Sequence, residues 1–317
     1  MRFLFVMDPV ETILRDADTT FALMLAAEAA GIEVHHALHT DIVQLGRERF
    51  VHSRRAELSR DESRPPATLL EEERRPLSDF DALFIRKDPP FNDDYLWLTL
   101  LLSAIGEGER PFVLNRPMGL RNANEKLYAT LFPEVTPRTM VTARKDEIVR
   151  FLDEQGGAAV IKPIDGHGGE GVFKLSASDP NKNAIIEALT RNERRQVMVQ
   201  EFLPAVTKGD KRILLLDGEP LGAILRVPRS DDLRSNIHVG GRVVKAELDE
   251  DDRRIIEAVR ERLRAEGLYF VGLDVIGGRL TEVNVTSPTG IQQMTRLDGV
   301  DYSARVIEWV KARVSAR

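Results

Sequence analysis

The chain has 317 residues, 42% of them hydrophobic and 30% charged, with a formal net charge of −6. That length can bury a large core and fits two or three domains, while the acidic balance argues against a nucleic-acid partner, which would select a basic surface. There is no cysteine, which excludes disulfides, a thiolate nucleophile and thiolate metal ligands.

The apolar start, Arg2–Met7, is too short for a signal peptide, and no apolar stretch approaches the roughly 20 residues of a membrane helix. A cytoplasmic protein with no membrane partner is therefore expected. Arg2–Met7 reads instead as a buried strand ended by Asp8-Pro9. Thr19–Ala30 reads as an apolar-rich helix closed by Gly31, and Glu33–Leu38 as the next strand. Strand, helix, strand predicts a parallel α/β domain. His35, His36 and His39 fall on or just after that strand, where solvated or satisfied histidines are a simpler reading than a metal site. From Arg47 to Arg75 both charges are dense and Pro65-Pro66 interrupts, so the segment is expected to be a mobile surface excursion without chemistry. Ala82–Ile85 is a strand that runs into Arg86-Lys87-Asp88-Pro89-Pro90-Phe91. Charges at the end of a buried strand sit where α/β domains bind ligands, which makes Arg86 and Asp88 candidate substrate contacts; a salt-bridged loop before the helix near Asn92 is the alternative. Phe112–Leu114 is a further strand. A helix then starts at Asn122–Leu127, capped by Asn122 or Asn124, and the first domain boundary is placed there.

Lys145–Gln155 is predicted as a helix ended by Gly156-Gly157, and Ala158–Lys162 as a strand. The spacing Gly166-x-Gly168-x-x-Gly171 matches a dinucleotide fingerprint, but that fingerprint must open a helix, and Val172–Leu175 alternates like a strand. A glycine loop between antiparallel strands is a flap whose bare amides can lie over phosphates. Lys126 and Lys162 are candidates to neutralise phosphate charge. A flexible hairpin tip and solvated lysines are the plainer alternatives. Asn181–Thr190 reads as a helix, and Gln196–Phe202 as a strand ending at Glu201-Phe202-Leu203-Pro204, a crossing where backbone groups could meet a nucleotide base. Asp210–Leu216 and Leu221–Val227 are strands joined by a turn at Asp217–Pro220. Arg212, Arg226 and Arg234 recur in this region, and arginine forks suit carboxylate and phosphate; a solvated basic face competes with that reading. Pro228–Gly241 is either a lid that excludes water from a reactive intermediate or plain disorder. Long helices follow over Glu250–Gly267, acidic in its first turn, and from Tyr302 to Ala312.

Between those helices, Val271–Gly290 carries two apolar runs flanking Gly277-Gly278, the signature of a β-hairpin. Glu282 and Asn284 are two apart and share a face. A two-residue loop would pair Asp274 with Thr281 and leave Glu282 on the other face; an odd loop, or a bulge, brings all three together. The odd loop is predicted. Two carboxylates and an amide oxygen, converging with no neutralising base between them, form a hard-cation site of the kind magnesium takes. A polar, solvated hairpin face is the alternative.

Together these motifs resemble the ATP-grasp ligases, and within them the bacterial glutathione synthetases. The resemblance runs from Phe3 to the last helix. It is carried by Val6–Pro9, Arg86–Phe91, Asn124–Leu127, Lys162-Pro163-x-Asp165-Gly166-x-Gly168-Gly169, Gly209–Arg212, Val271–Asp274 and Thr281–Gly290. It implies an α/β (α+β) fold: an N-terminal parallel α/β domain over residues 1–123, then a two-part ATP-grasp domain with a central lid over 124–203 and a C-terminal part over 204–317. The implied activity joins γ-glutamylcysteine to glycine with ATP cleavage through an acyl phosphate, using magnesium or manganese, in a homo-oligomer, a tetramer in that family. By the same resemblance Lys126, Lys162 and Asp210 contact ATP, and Gly166, Gly168, Gly169 and Gly171 cover its phosphates. Glu201, Phe202 and Leu203 meet the adenine, and Asp274, Glu282 and Asn284 hold magnesium. Arg212, Arg226, Arg234 and Asn236, with Ser287, Thr289 and Gly290, bind the dipeptide or the developing charge. Two other readings stay open. One is an ATP-grasp ligase that joins D-alanines or adds glutamate to a peptide, for which Arg86–Phe91 would not be expected. The other is a nucleotide-binding regulatory protein that has lost turnover.

Overall fold

Phe3 to Met7 are all buried, as a strand covered on both faces requires. They form most of β1 (Arg2–Met7), the middle of the first sheet in the computed structural model, which describes residues 1–106, 108–229 and 241–316. α1 (Thr19–Ala29), capped by the Asp18 carboxylate on the Phe21 amide at 2.8 Å, leads to β2 (Glu33–Ala37). β3 (Ile42–Leu45), β4 (Glu48–Leu58), β5 (Ala67–Pro76), β6 (Ala82–Arg86), α2 (Asp93–Leu102), β7 (Phe112–Leu114) and α3 (Pro117–Asn122) complete this part. The sheet runs β3-β4-β2-β1-β6-β7, with β5 on β4. β1, β2, β6 and β7 pair in parallel; β3, β4 and β5 join antiparallel.

The expected surface excursion from Arg47 to Arg75 is instead mostly the long β4–β5 hairpin, with Pro65-Pro66 near its tip. Its dense mixed charge is cross-strand pairing: Arg54 lies opposite Glu72 in the ladder, and their side chains meet at 3.3 Å. Opposite charges facing each other across strands are stabilising, and on an exposed hairpin they replace the apolar alternation that would have revealed a strand.

α4 (Glu125–Ala129) opens with Asn124 as its cap. Beyond it, β8 (Thr139–Thr142), α5 (Lys145–Glu154), β9 (Ala158–Pro163), β10 (Phe173–Ser176), α6 (Lys182–Thr190) and β11 (Val197–Glu201) build a second, antiparallel sheet of order β10-β9-β11-β8. It has its own core, with Ile148, Phe151 and Leu152 of α5 against Ile161, Leu175 and Val199.

The third sheet contains β12 (Asp210–Leu216), β13 (Glu219–Val227) and β14 (Arg242–Lys245). After α7 (Glu250–Ala265) come β15 (Phe270–Ile276) and β16 (Arg279–Asn284). The order is β14-β13-β12-β15-β16, antiparallel throughout. Ile213, Leu215, Val271, Leu273, Val275, Leu280 and Val283 bury one face with Ile255, Ile256, Val259 and Leu263 of α7. The other face carries Arg212, Arg226 and Asp274, and beside them Leu214, Ile224 and Phe270 of a second apolar cluster. α8 (Ile291–Asp298) and α9 (Tyr302–Ser315) close the described chain, and both pack on α1. Asn115, just past β7, ties the first sheet to the third: its Nδ2 donates to Phe270 O at 2.8 Å and Val285 O at 3.0 Å, and its Oδ1 accepts from Phe270 N at 2.8 Å. Among the described residues no helix is long and apolar enough to cross a membrane.

Candidate active site

The β15–β16 turn is a two-residue loop, not the odd loop expected. Gly277 and Gly278 have φ of +56° and +73°, the left-handed pair of a type I′ turn. The frame shift comes one step later. Val275 pairs with Leu280 but Asp274 pairs with Glu282, so Thr281 is an extra residue bulged out of β16. Its hydroxyl donates to Asp274 O at 3.1 Å. The bulge sets Glu282 directly across from Asp274, and Asn284, two residues on, shares that face. Asn284 Nδ2 donates to Gly272 O at 3.3 Å, which leaves the amide oxygen as the atom it could offer a cation.

The neighbouring strands put bases on this face, a correction to the picture of oxygens with no neutralising base between them. Arg212 of β12 lies across from Asp274, and its guanidinium grips that carboxylate with two N–H groups, one at 2.8 Å. Arg226 of β13 bridges Asp274, at 3.0 Å, and Asp210. Burial would raise the Asp274 pKa, but the two guanidiniums outweigh it and hold the carboxyl well below the usual range. Asp210 goes the other way: burial pushes it up to about 7 against the pull of Arg226, and the Asp274 charge adds to the rise. Glu282 faces two ammonium groups, Lys126 Nζ at 3.5 Å and Lys162 Nζ at 3.9 Å. They hold it below its ordinary value despite burial. Lys162 is itself depressed, by burial first, with Glu282 opposing.

Gly166–Gly171 connects β9 and β10, two antiparallel strands, so the glycine loop is a hairpin flap. Lys126 Nζ donates to Gly166 O, and Lys162 Nζ to Gln200 Oε1 at 3.3 Å. Below the flap lies a cavity of about 900 Å³. One stretch of its wall is apolar and aromatic, with Val160, Phe173, Phe202, Leu203, Val206 and Ile276. Lys174 Nζ sits 4.2 Å from the centre of the Phe202 ring. Elsewhere the wall carries Lys126, Lys162, Asp210, Arg212, Arg226, Asp274, Glu282 and Asn284, then Ser287, Thr289, Arg86 and Asp88. Arg86 Nε donates to Thr20 Oγ1 at 2.9 Å and Nη2 to Pro288 O at 3.1 Å.

Gly166, Gly168, Gly169 and Glu201 also line this space. Gly171 and Gly290 do not. A Cβ on Gly171 would meet the Pro163 ring at 3.0 Å, so its place is in the turn that closes the flap. Gly290 is the N-cap of α8, behind Arg212. Arg234 and Asn236, and most of the expected lid over Pro228–Gly241, lie outside the described residues. Sequence reasoning missed Glu125, whose carboxylate accepts from Val285 N, Thr286 N and Thr286 Oγ1 at 3.1, 3.2 and 2.8 Å. It fixes the loop that carries Ser287 and Thr289, and only its place beside Lys126 hinted at this. Gln200 was missed too, because nothing in its strand marks an amide as different from any other polar residue.

Among the described residues no group of three or more histidines and carboxylates gathers in a way that would hold a metal ion. The mixed set of Asp274, Glu282 and Asn284 fits a hard cation by its chemistry, since all three offer oxygen.

The family models for the prokaryotic glutathione synthetase N-terminal domain and ATP-grasp domain match residues 1–121 and 125–299. The chain belongs to the prokaryotic glutathione synthetase family. It is 49% identical to the glutathione synthetase of Gloeobacter violaceus, over 98% of this chain and 96% of that one. It is 43% identical to that of Coxiella burnetii, over 97% and 95%, and 40% identical to that of Vibrio cholerae, over 98% and 97%. Among solved structures, the D-cycloserine synthetase DcsG superimposes with a TM-score of 0.65 at 17% identity, over 98% of this chain and all of that one. The ATP-grasp ligase PsnB, solved with a phosphomimetic variant of its minimal precursor, Mg and ADP, reaches 0.65 at 17% identity over 98% of each chain. At those identities the likeness is one of fold. The flap, the bulged hairpin and both lysines of this glutathione synthetase family member fall inside the matched ATP-grasp segment.

Proposed function

We infer that the protein is an ATP-dependent carboxylate–amine ligase that joins γ-glutamylcysteine to glycine through an acyl phosphate, giving glutathione, ADP and phosphate. The observation that carries this is the arrangement of two lysines, two arginines and an acid–amide face in one cavity beneath a glycine flap. A carboxylate is a poor electrophile, and bringing it to a triphosphate sets one anion against another. Catalysis of that encounter is chiefly charge neutralisation and positioning.

In this reading Phe202 and Leu203 receive the adenine, and flap amides cover the phosphates. Lys126 and Lys162 exchange Glu282 for phosphate oxygens. Glu282, with Asp274 and Asn284, would then hold magnesium, which would supply Lewis-acid neutralisation of phosphate oxygens. Manganese suits the same oxygen ligands. Arg212 and Arg226 face the charge that develops as the cysteinyl carboxylate takes the phosphoryl group and as glycine's amine then expels phosphate. We further read residues 1–123, 124–203 and 204–317 as three domains, and the protein as a cytoplasmic homo-oligomer.

The test is ADP release measured with γ-glutamylcysteine plus glycine, and again with D-alanine alone. Release that requires both γ-glutamylcysteine and glycine is expected. Turnover on D-alanine, or tight ATP binding without release on any amino-acid pair, would favour the competing ligase or regulatory reading.

A further inference from the structure

The cavity is also lined by a wall on which only Arg86 has so far been given a role, that of a candidate substrate contact. Asp18, Thr19 and Thr20 at the amino end of α1 line it, with Arg86 from β6 and Gln293 from α8. The two neighbouring glutamines of α8 differ in what they do. Gln292 is committed: its Nε2 donates to Arg15 O at 3.0 Å and Asp18 O at 2.6 Å, and its Oε1 accepts from Arg60 at 3.3 Å. It ties the loop before α1 to α8. Gln293 is 8% exposed, and its Oε1 has no hydrogen-bond partner among the described residues. Thr19 Oγ1, on the same wall, is likewise buried without one. Buried acceptors are ordinarily satisfied, and an orphan calls for a partner that arrives from elsewhere. The terminal amide torsion of a glutamine is soft, so Oε1 can turn to whatever donor enters.

The charges on this wall have both signs. The Asp18 carboxylate caps α1, and the Arg86 guanidinium and the Asp88 carboxylate act on it electrostatically. A γ-glutamyl head group also has both signs: an α-ammonium, which only donates, and an α-carboxylate, which only accepts. Arg86 reaches the loop of Ser287 and Thr289 through Pro288 O, and Arg212 reaches it through Thr289 O at 3.4 Å. The wall is thus continuous with the reacting end.

We propose that Gln293 and Asp18 receive the α-ammonium of the γ-glutamyl group while Arg86 faces its α-carboxylate, so that this wall selects γ-glutamyl compounds. The proposal rests on the ligase reading and adds the residues that recognise the substrate's far end.

The test compares γ-glutamylcysteine with glutarylcysteine, the same molecule without the amino group, using glycine and ATP throughout. The wild-type protein should lose well over tenfold in kcat/KM on glutarylcysteine, toward the roughly 10⁴-fold by which a site built for a donor rejects an analogue that lacks it. Gln293→Leu should raise KM for γ-glutamylcysteine, leave KM for ATP unchanged, and narrow the gap between the two substrates. Gln293→Glu keeps an acceptor and should preserve or widen that gap. Equal use of both substrates by the wild type overturns the proposal. So does an unchanged gap in both variants accompanied by a lowered thermal midpoint, which is what a purely structural glutamine would give. Turnover of γ-glutamylcysteine with no such discrimination leaves the ligase reading standing and removes only this proposal; no turnover of γ-glutamylcysteine at all removes both.

Discussion

Glu282 shows how a single side chain can hold the site together before any ligand arrives. Lys126 and Lys162 converge on it at 3.5 and 3.9 Å, and in the proposed reading it stands where phosphate oxygens would neutralise them. Glu282→Gln should therefore have two opposed effects. Magnesium-dependent turnover should fall about a hundredfold, the order seen when one preorganised charge-stabilising group is lost. Binding of ATP without metal should hold steady or tighten, because an acidic competitor for the lysines is gone. Turnover rates and nucleotide titration measure the two, and near-normal turnover would contradict the metal role. The aspartates beside it show the same control by environment. Asp274 is held deprotonated by two guanidiniums, while burial, with the Asp274 charge adding to it, pushes Asp210 up to about 7 against the pull of Arg226.

At the scale of elements, the flap is a hairpin whose glycines have different duties. Gly168 has φ +61° with open space around it, so it needs the left-handed conformation. A Cβ on Gly166 would lie 2.7 Å from the Pro163 ring and 3.1 Å from Glu170 O. Gly166→Ala should therefore displace the flap while leaving the apolar core of the second sheet alone. We expect KM for ATP to rise by about tenfold with little change in thermal midpoint; a large loss of stability with KM intact would reverse that assignment. On β2, Glu33 accepts from Arg2 Nε and pairs with His35 Nε2, each at 2.7 Å. Those hydrogen bonds, His35 first, lower its pKa from 4.5 to about 2. A depressed carboxyl contributes stability above its unfolded value, and that contribution is lost as pH falls through the folded one. Acid unfolding followed from pH 4.5 down to about 2 should be shallower in Glu33→Gln than in the wild type. The difference should be small, since the group is a third exposed and solvent screens it. Identical acid profiles would show that the pair does not matter.

At the scale of the whole molecule, the cavity is made by surfaces that belong to all three sheets, so its geometry depends on how they are joined. Asn115 makes the clearest joint: one buried amide with three hydrogen bonds to the backbones around Phe270 and Val285. Asn115→Leu leaves those backbone groups unmet and should destabilise the protein by about 3 kcal/mol. Urea unfolding would report it as a lower midpoint. An unchanged midpoint would show that the apolar contact between the first and third sheets suffices without the amide. α1 adds a second joint, packed on α8 and α9 from the far end of the chain.

The local order of strands and helices was legible along most of the chain, because periodicity, caps and glycine punctuation are written in neighbouring residues. β1, β9, β12 and β15, the Asn124 cap and the flap between two antiparallel strands lie close to where the residues alone place them. The β4–β5 hairpin was not legible, because its exposed charged pairs erase the alternation by which strands are recognised. The set of Asp274, Glu282 and Asn284 could be named from the sequence, as could the lysines and arginines. The register of the β15–β16 hairpin was misread as an odd loop, and the pairing of each charge was not legible. A bulge at Thr281 decided the first. The crossing of strands far apart in the chain decided the second, since burial and electrostatic partnership are properties of distance in space and not of separation along the backbone.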